Sequence, residues 1–316
     1  QGVQAQSAPP RDQAARELDR IQQEQQQRLD RERAERLSRQ PRTTIEVPLD
    51  TPAAGGTSTV CRDIAEVRLF GADAIEAKEQ AELTAPFVGQ CLAVTDIERL
   101  LGAVVNRYVQ RGNIAARAYI QTQNLAEGVL NILVLEGKVE ALRLEDGGRD
   151  SLSLATAFPG VIGQVLNIRD LEQGLDRVNR LGSNSATLEL QPCTEPGFST
   201  VVIRNEPRRR LRASLTADNS GSESTGEDQS SLTLQYDNPV GINDGVVLSY
   251  RSTVGGDFGL QHSRSSSVIY SLPYGRWLLT ATQLFSDYAT PVELESATAV
   301  AEGDTTSTSL RADYAL

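Results

Sequence analysis

The run DIERLLGAVVNRYVQRGNIAARAYIQTQNLAEGVLNILVLE, from Asp96 to Glu136, decides the fold. Ile97, Leu100, Leu101, Val104, Val105 and Tyr108 fall at i, i+3, i+4, i+7, i+8 and i+11, the single apolar stripe of an amphipathic helix. Thr95 followed by Glu98 matches a capping box and predicts the helix start there. Arg111 and Gly112 supply a positive last turn and then a stop. From Ala116 to Gln121 the pattern changes to alternation and predicts a strand. Ala116, Ala118 and Ile120 share one face, and Arg117, Tyr119 and Gln121 share the other. Gln123 to Gly128 reads as a turn, and Val129 to Leu135 as a strongly apolar strand closed by Glu136-Gly137-Lys138.

Working outward, the same plan occurs twice. Upstream, Ile64 to Phe70 alternates as a strand, with Ile64, Glu66, Arg68 and Phe70 on one face, and Ile75 to Ala85 reads as a short helix stopped by Pro86. Downstream, Val139 to Leu144 predicts a strand and Ser151 to Phe158 a short helix. Asn167 then caps a helix carrying Ile168, Leu171, Leu175, Val178 and Leu181, before strands at Ala186–Leu190 and Phe198–Ile203. Asn106-Arg107 and Asn179-Arg180 fall at matching places in the two copies.

These residues carry a resemblance. Tyr108-Val-Gln-Arg-Gly112, Arg117-Ala-Tyr-Ile120, Gln123-Asn-Leu-Ala-Glu-Gly128 and Leu135-Glu-Gly137 resemble the first POTRA (polypeptide-transport-associated) domain of the two-partner secretion outer-membrane transporters, the exporters of haemolysins and filamentous haemagglutinins within the Omp85 superfamily. Asn113 and Asn124 depart from that pattern, which has an aromatic residue and an Asp there. Phe158-Pro-Gly160, Leu166-Asn-Ile-Arg-Asp-Leu-Glu-Gln173, Leu175-Asp176 and Asn179-Arg-Leu181 resemble the second POTRA domain more closely still.

The expected architecture is therefore α+β: a polar N-terminal helix (1–42), a linker (43–60), two tandem POTRA modules of β-α-α-β-β order (61–137 and 138–206) and antiparallel barrel strands (207–316). The barrel strands are expected at 211–217, 231–236, 246–251, 265–272 and 278–285, where polar and apolar residues alternate. A soluble β-sandwich would give a similar pattern. Asp237-Asn-Pro239 with Asn243-Asp244-Gly245 resembles the family's first barrel hairpin. About 110 residues make five or six strands, whereas the family's barrel of about sixteen needs roughly 160 strand residues. The chain is accordingly expected to carry only the first part of a barrel.

Residues 11–40 are rich in Gln, Arg and Glu with a thin apolar stripe, so a helix there must sit in water or line something wet. The resemblance implies a plug in the barrel pore; at 1.5 Å per residue thirty residues span about 45 Å. A charged helix fraying in solution is the other reading. Pro41, Pro48, Pro52, Gly55 and Gly56 mark the linker. The chain has no Met, and Val3-Gln4-Ala5 is similar to the small-residue tail of a secretory signal peptide.

The net charge of −11 argues against nucleic acid as a partner. Of three cysteines, the resemblance implies a disulfide between Cys61 and Cys91, since the family often carries Cys at both places, and hence an oxidising compartment. Two buried free thiols are the alternative. Cys193 is left over in a turn, with no role. The one His, His262, has no ligand partners at metal spacing, and no nucleophile elbow, P-loop or dinucleotide fingerprint occurs. Glu145-Asp146 reads as solvated charge in a turn. No enzyme activity, metal or cofactor is expected.

The function implied is an outer-membrane translocator with its POTRA modules in the periplasm. It would act as a monomer in outer-membrane lipid and export a large secreted β-helical partner. An assembly factor that inserts other proteins, or a periplasmic binding scaffold, are the alternatives. Two recognition modes suit an unfolded β-rich partner: strand addition at a sheet edge, or a groove beside a helix. Arg117, Tyr119 and Gln121, on the non-core face of a short strand, are the candidate partner-binding residues. Equally, Arg117 could merely protect an open edge while Tyr119 packs on the next module.

Overall fold

The computed structural model describes residues 61–255, 259–294 and 297–315. The expected N-terminal helix and linker lie outside them. The described chain divides into two compact units: 61–179 with 185–207, and 180–184 with 208–315.

The first unit holds two modules of one plan. In the first, β2 (Glu66–Phe70), β5 (Val129–Leu135) and β4 (Arg117–Tyr119) form a sheet of order β2-β5-β4, β2 parallel and β4 antiparallel to β5. Helices α1 (Ala77–Thr84) and α2 (Val94–Gln110) cover one face. Leu130, Ile132 and Val134 of β5 alternate inward against Leu100, Val104 and Tyr108 of α2, and all six are buried. The stripe read from the sequence is thus the seam between helix and sheet.

Three expectations about this module are corrected. Ile64–Phe70 is not one strand: β1 (Arg62–Ile64) pairs with β3 (Gln90–Leu92) in a separate two-stranded sheet, and only β2 joins the main one. Ile64 therefore belongs to the core while Glu66, Arg68 and Phe70 stand outside it. The α2 cap is Ala93, not Thr95; the Asp96 carboxylate accepts from the Ala93 N–H at 3.0 Å, and Ala93 has no side chain to return the bond. The first helix is shorter than expected, and Pro86 sits inside a 3-10 turn, Ala85–Phe87. Cys61 and Cys91 are joined as a disulfide that ties the entry of β1 to β3. Tyr108 donates to the buried carboxylate of Glu136 at 2.7 Å; burial and that bond push its phenol well above its usual pKa.

The second module repeats this with β6 (Lys138–Glu145), α3 (Leu154–Ala157), α4 (Ile168–Asn179), β7 (Ala186–Pro192) and β8 (Phe198–Asn205) in the order β6-β8-β7. Leu171, Leu175 and Val178 of α4 pack on Val201 and Ile203. Gly174 lets α4 lie against Phe158, whose ring would be 2.3 Å from any Cβ placed there. Leu181, expected on this helix, lies beyond its end at Asn179. Asp146, expected as solvated charge, is buried: its carboxylate accepts from the backbone N–H groups of Gly148, Arg149 and Ser151. The matching Asn-Arg pairs do different work. Asn179 exchanges two hydrogen bonds with the Ala186 backbone, while Arg107 pairs with Glu79.

The two modules meet end to end. Carbonyl oxygens at the end of α2 are unsatisfied by their own helix, and the start of α4 supplies donors. Gly112 O accepts from Ile168 N at 2.8 Å, Arg111 O from Asn167 Nδ2 at 3.2 Å, and Gln110 O from Arg169 at 3.0 Å. Asn113 Nδ2 returns a bond to Leu166 O. Gly112 is required there, at φ 93°, because a Cβ would strike Asn167. The segment leading into β4 is therefore held from both sides.

In the second unit β9 (Leu211–Asp218), β10 (Gln229–Asp237), β11 (Gly245–Thr253), β12 (His262–Tyr274), β13 (Trp277–Leu294) and β14 (Ala297–Tyr314) form one antiparallel meander in chain order. The expected strands are present but longer, and β14 was missed because it is mostly Thr, Ser and Ala. Cross-strand register separates the faces. One face carries rows such as Leu211–Tyr236–Val246–Tyr270–Ala281–Leu310. The other carries Ser214–Thr233–Ser249–Ser267–Leu284–Ser307. The apolar face runs from the aromatic pair Trp277 and Tyr314, 4.9 Å apart, to Phe285 and ends at Asp287. Nine residues of tilted strand give roughly 20 Å, near the apolar band of a membrane barrel. No helix among the described residues is long and apolar enough to cross a membrane.

The β10–β11 turn of this unit is a buried polar knot. Asp237, Asn238, Asn243 and Asp244 are all buried. Asp237 takes Arg212 at 2.8 Å and the Ser183 N–H at 2.8 Å; Asp244 takes Tyr270 at 3.1 Å. Asn238 and Asn243 adopt left-handed backbone, which Asn tolerates better than most residues.

Candidate functional site: the open edge of the first module

The site is the β4 edge and the sheet face opposite the helices. Strand β4 is only three residues long, shorter than the expected 116–121, and the reason is Gln123. Its side-chain amide donates to Asn131 O at 2.7 Å and accepts from Asn131 N at 2.8 Å, taking the place that the register would give to Gln121. Asn124 caps the following 3-10 turn through Ala126 N, and Gly128, left-handed at φ 71°, turns the chain into β5.

These bonds fix which backbone groups face outward. Glu66 N donates to Gly128 O, so the even-numbered residues of β5 face β2. Asn131 faces the Gln123 side, so Leu133 and Leu135 turn their N–H and C=O groups toward β4. Leu133 and Leu135 are paired with Tyr119 and Arg117. Ala118, between them, therefore presents its N–H and C=O to the open side.

The side chains on the uncovered face form a row across three strands. Phe70 lies opposite Leu133, and Leu133 opposite Tyr119. Phe70 is 50% and Tyr119 48% exposed. Ile120, on the other side of the edge, is 40% exposed. Arg117 shares the outer face with Tyr119 two residues away, and its Nη1 donates to the carbonyls of Ile114 and Ala116 at 3.1 and 2.8 Å. Gln121 is exposed but lies beyond the last paired residue and does not join the row. At the Leu135 end the face meets Gly197 in the turn of the second module. Phe70 and Leu133 were missed in the sequence reading. The signal was there: β5 is apolar at seven positions with one exception, Asn131, more than one buried face requires.

No group of His, Cys, Asp and Glu that could hold a metal occurs among the described residues. His262 contacts Asp287 at 3.0 Å across β12–β13, and Cys193 contacts the Thr200 hydroxyl at 3.4 Å.

Residues 197–316 match the family of haemolysin secretion/activation proteins ShlB/FhaC/HecB, residues 63–137 the ShlB-type POTRA domain, and residues 138–192 a further POTRA domain. The chain belongs to this family. It is 34% identical to the outer membrane transporter CdiB of Escherichia coli O6:K15:H31 over 275 residues, 86% of this chain and 46% of that protein. It is 33% identical to the hemolysin transporter protein ShlB of Serratia marcescens over 257 residues, 81% of this chain and 45% of that one. The solved structure of CdiB from Escherichia coli superposes with a TM-score of 0.82 at 31% identity, covering 98% of this chain and 56% of that one. The chain thus spans about half the length of these relatives, and the six-stranded meander matches part of the family's barrel.

Proposed function

We propose that this family member is part of an outer-membrane transporter of two-partner secretion. In this reading its POTRA modules stand in the periplasm, capture a large secreted β-rich protein and deliver it to the barrel that β9–β14 begin, in outer-membrane lipid and as a monomer. The observation that carries the capture step is the β4 edge, where an outward-facing Ala118 backbone adjoins Arg117 and Tyr119. Main-chain bonds give affinity with little demand on sequence, which suits a partner held unfolded, and neighbouring side chains set the register. Gln121 lies close enough along the chain to touch the far end of an added strand.

The test is Ala118→Pro, which removes the outward N–H donor. Retained amide protection of the Leu130–Val134 strand, read by hydrogen exchange, certifies that the module stays folded. The expected result is loss of partner capture and secretion; secretion at the wild-type level by the folded variant places recognition elsewhere. Residues 11–40 are proposed as the pore plug. Deleting residues 1–40 from the full-length transporter should raise single-channel conductance in planar bilayers, and unchanged conductance removes the plug reading.

A further inference from the structure

We infer that the β4 edge selects an extended segment with the pattern acidic, small, apolar, apolar, the small and the last apolar residue pointing to the helix side. This rests on the strand-addition reading above and adds what the added strand must look like. A strand laid beside β4 continues each cross-strand row by one side chain. The residue opposite Tyr119 lengthens the row Phe70–Leu133–Tyr119, whose two ends are half exposed and which water solvates poorly. The residue opposite Ala118 points to the helix side, where Ala118 packs on the core, and a small residue there extends that contact with the least displacement of the helices. Two residues further on, that side of the added strand reaches Ile120, the first residue past the end of β4 and 40% exposed, so an apolar residue suits it.

Charge sets the fourth position. Arg117 lies two residues from Tyr119 on the same face and has no carboxylate partner among the described residues. One of its terminal nitrogens is spent on the Ile114 and Ala116 carbonyls, which fixes the guanidinium while the remaining donors stay available. An acidic side chain opposite Arg117 neutralises it, and a basic one is repelled. The other edge of the same sheet lacks this combination: on β2 the charges Glu66 and Arg68 are bonded to each other at 2.7 Å. The edge is therefore apolar on both faces at one end and positive at the other.

The experiment measures fluorescence anisotropy of labelled nine-residue peptides with the whole chain in detergent micelles. The peptides carry Asp-Thr-Val-Ile at their centre, in both chain directions, beside versions with Lys for Asp. The wild type should prefer the Asp peptide by about three- to tenfold, and Arg117→Glu should reverse the preference. Equal affinity for the Asp and Lys peptides on both proteins overturns the pattern. N-methylation of the peptide at alternate positions separates this from the underlying reading. Strand addition predicts that one register of methylation abolishes binding and the other spares it. If that signature appears without a charge preference, edge capture stands and the pattern falls. If both registers bind alike, or no peptide binds below about 1 mM, both fall.

Discussion

The two POTRA modules have the same strand order and the same helix-covered face, yet their uncovered faces carry opposite chemistry. In the first module the row across the sheet is Phe70–Leu133–Tyr119. In the second, Arg143 and Glu189 flank Val202, and the next row is Glu145–Arg204–Thr187. Arg204 there reaches Glu145 at 2.9 Å and Glu189 at 2.6 Å, one guanidinium tying all three strands. The inward residues of both modules obey one rule, because each must fill the space under a helix. The outward residues are free of that rule and differ: charged side chains paired across the strands flank a buried Val202 in the second module, whereas the apolar row of the first module meets, in our reading, a partner strand.

Four measurements break or sharpen this comparison. Replacing Cys61 and Cys91 by Ser opens a loop of 30 residues in the first module only. The expected loss is roughly 3–4 kcal/mol. Hydrogen exchange resolved by module should place it in residues 61–137; an equal loss in both modules would show that they unfold as one unit through the α2–α4 joint.

Asp146→Ala strikes the second module. It removes the acceptor of three backbone donors, of which the Ser151 N–H is buried while those of Gly148 and Arg149 lie in an exposed turn, and should cost about 1–3 kcal/mol. Burial pushes the Asp146 carboxyl up, but bonds from the Ser151 backbone and hydroxyl and from Arg149 and Gly148 outweigh it and hold the carboxyl below its usual range. A depressed carboxylate stabilises the fold above its unfolded pKa near 3.8 and loses that contribution as pH falls through the folded value. Urea titrations below about pH 4 should therefore weaken the second module, and Asp146→Ala should flatten that acid limb.

Tyr108→Phe removes the hydroxyl that bonds Glu136 inside the first module, with an expected cost of roughly 1–2 kcal/mol by chemical denaturation. No cost would mean that the Ala74 N–H alone satisfies the Glu136 carboxylate. The smallest effect is expected of Arg204→Ala. Its ion pairs are exposed and screened by solvent, so chemical denaturation should show almost no change in stability, and partner capture should stay unchanged. A capture defect as large as that of Ala118→Pro would move the recognition face to the second module.

Much of the fold was legible because long periodic segments leave little choice. The stripe from Ile97 to Tyr108 and the run Val129–Leu135 identify helix and strand locally. The Asn167 cap also reads locally, since its side chain accepts from Arg169 two residues on. Short elements were less legible. Ile64–Phe70 looked continuous, and only the pairing of Arg62–Ile64 with Gln90–Leu92 splits it. Asp146 looked solvated because a turn carboxylate and an organising carboxylate have the same sequence; burial follows from how the chain wraps it.

The candidate site divides the same way. Alternation alone put Arg117 and Tyr119 on one face, since residues two apart on a strand must share it. It could not stop the strand before Gln121, because the stop is made by Gln123 bonding Asn131 across the hairpin. Nor could it join Phe70 to Tyr119, forty-nine residues apart, as the two ends of one row through Leu133. By itself the sequence determined the repeated modules, the helix seams and the alternating strands, because each depends on the spacing of neighbours along the chain. Only the tertiary structure decided which backbone stands open and which apolar residues share the uncovered face. Those depend on register between strands distant in sequence, and register is set by packing and hydrogen bonds that no local pattern records.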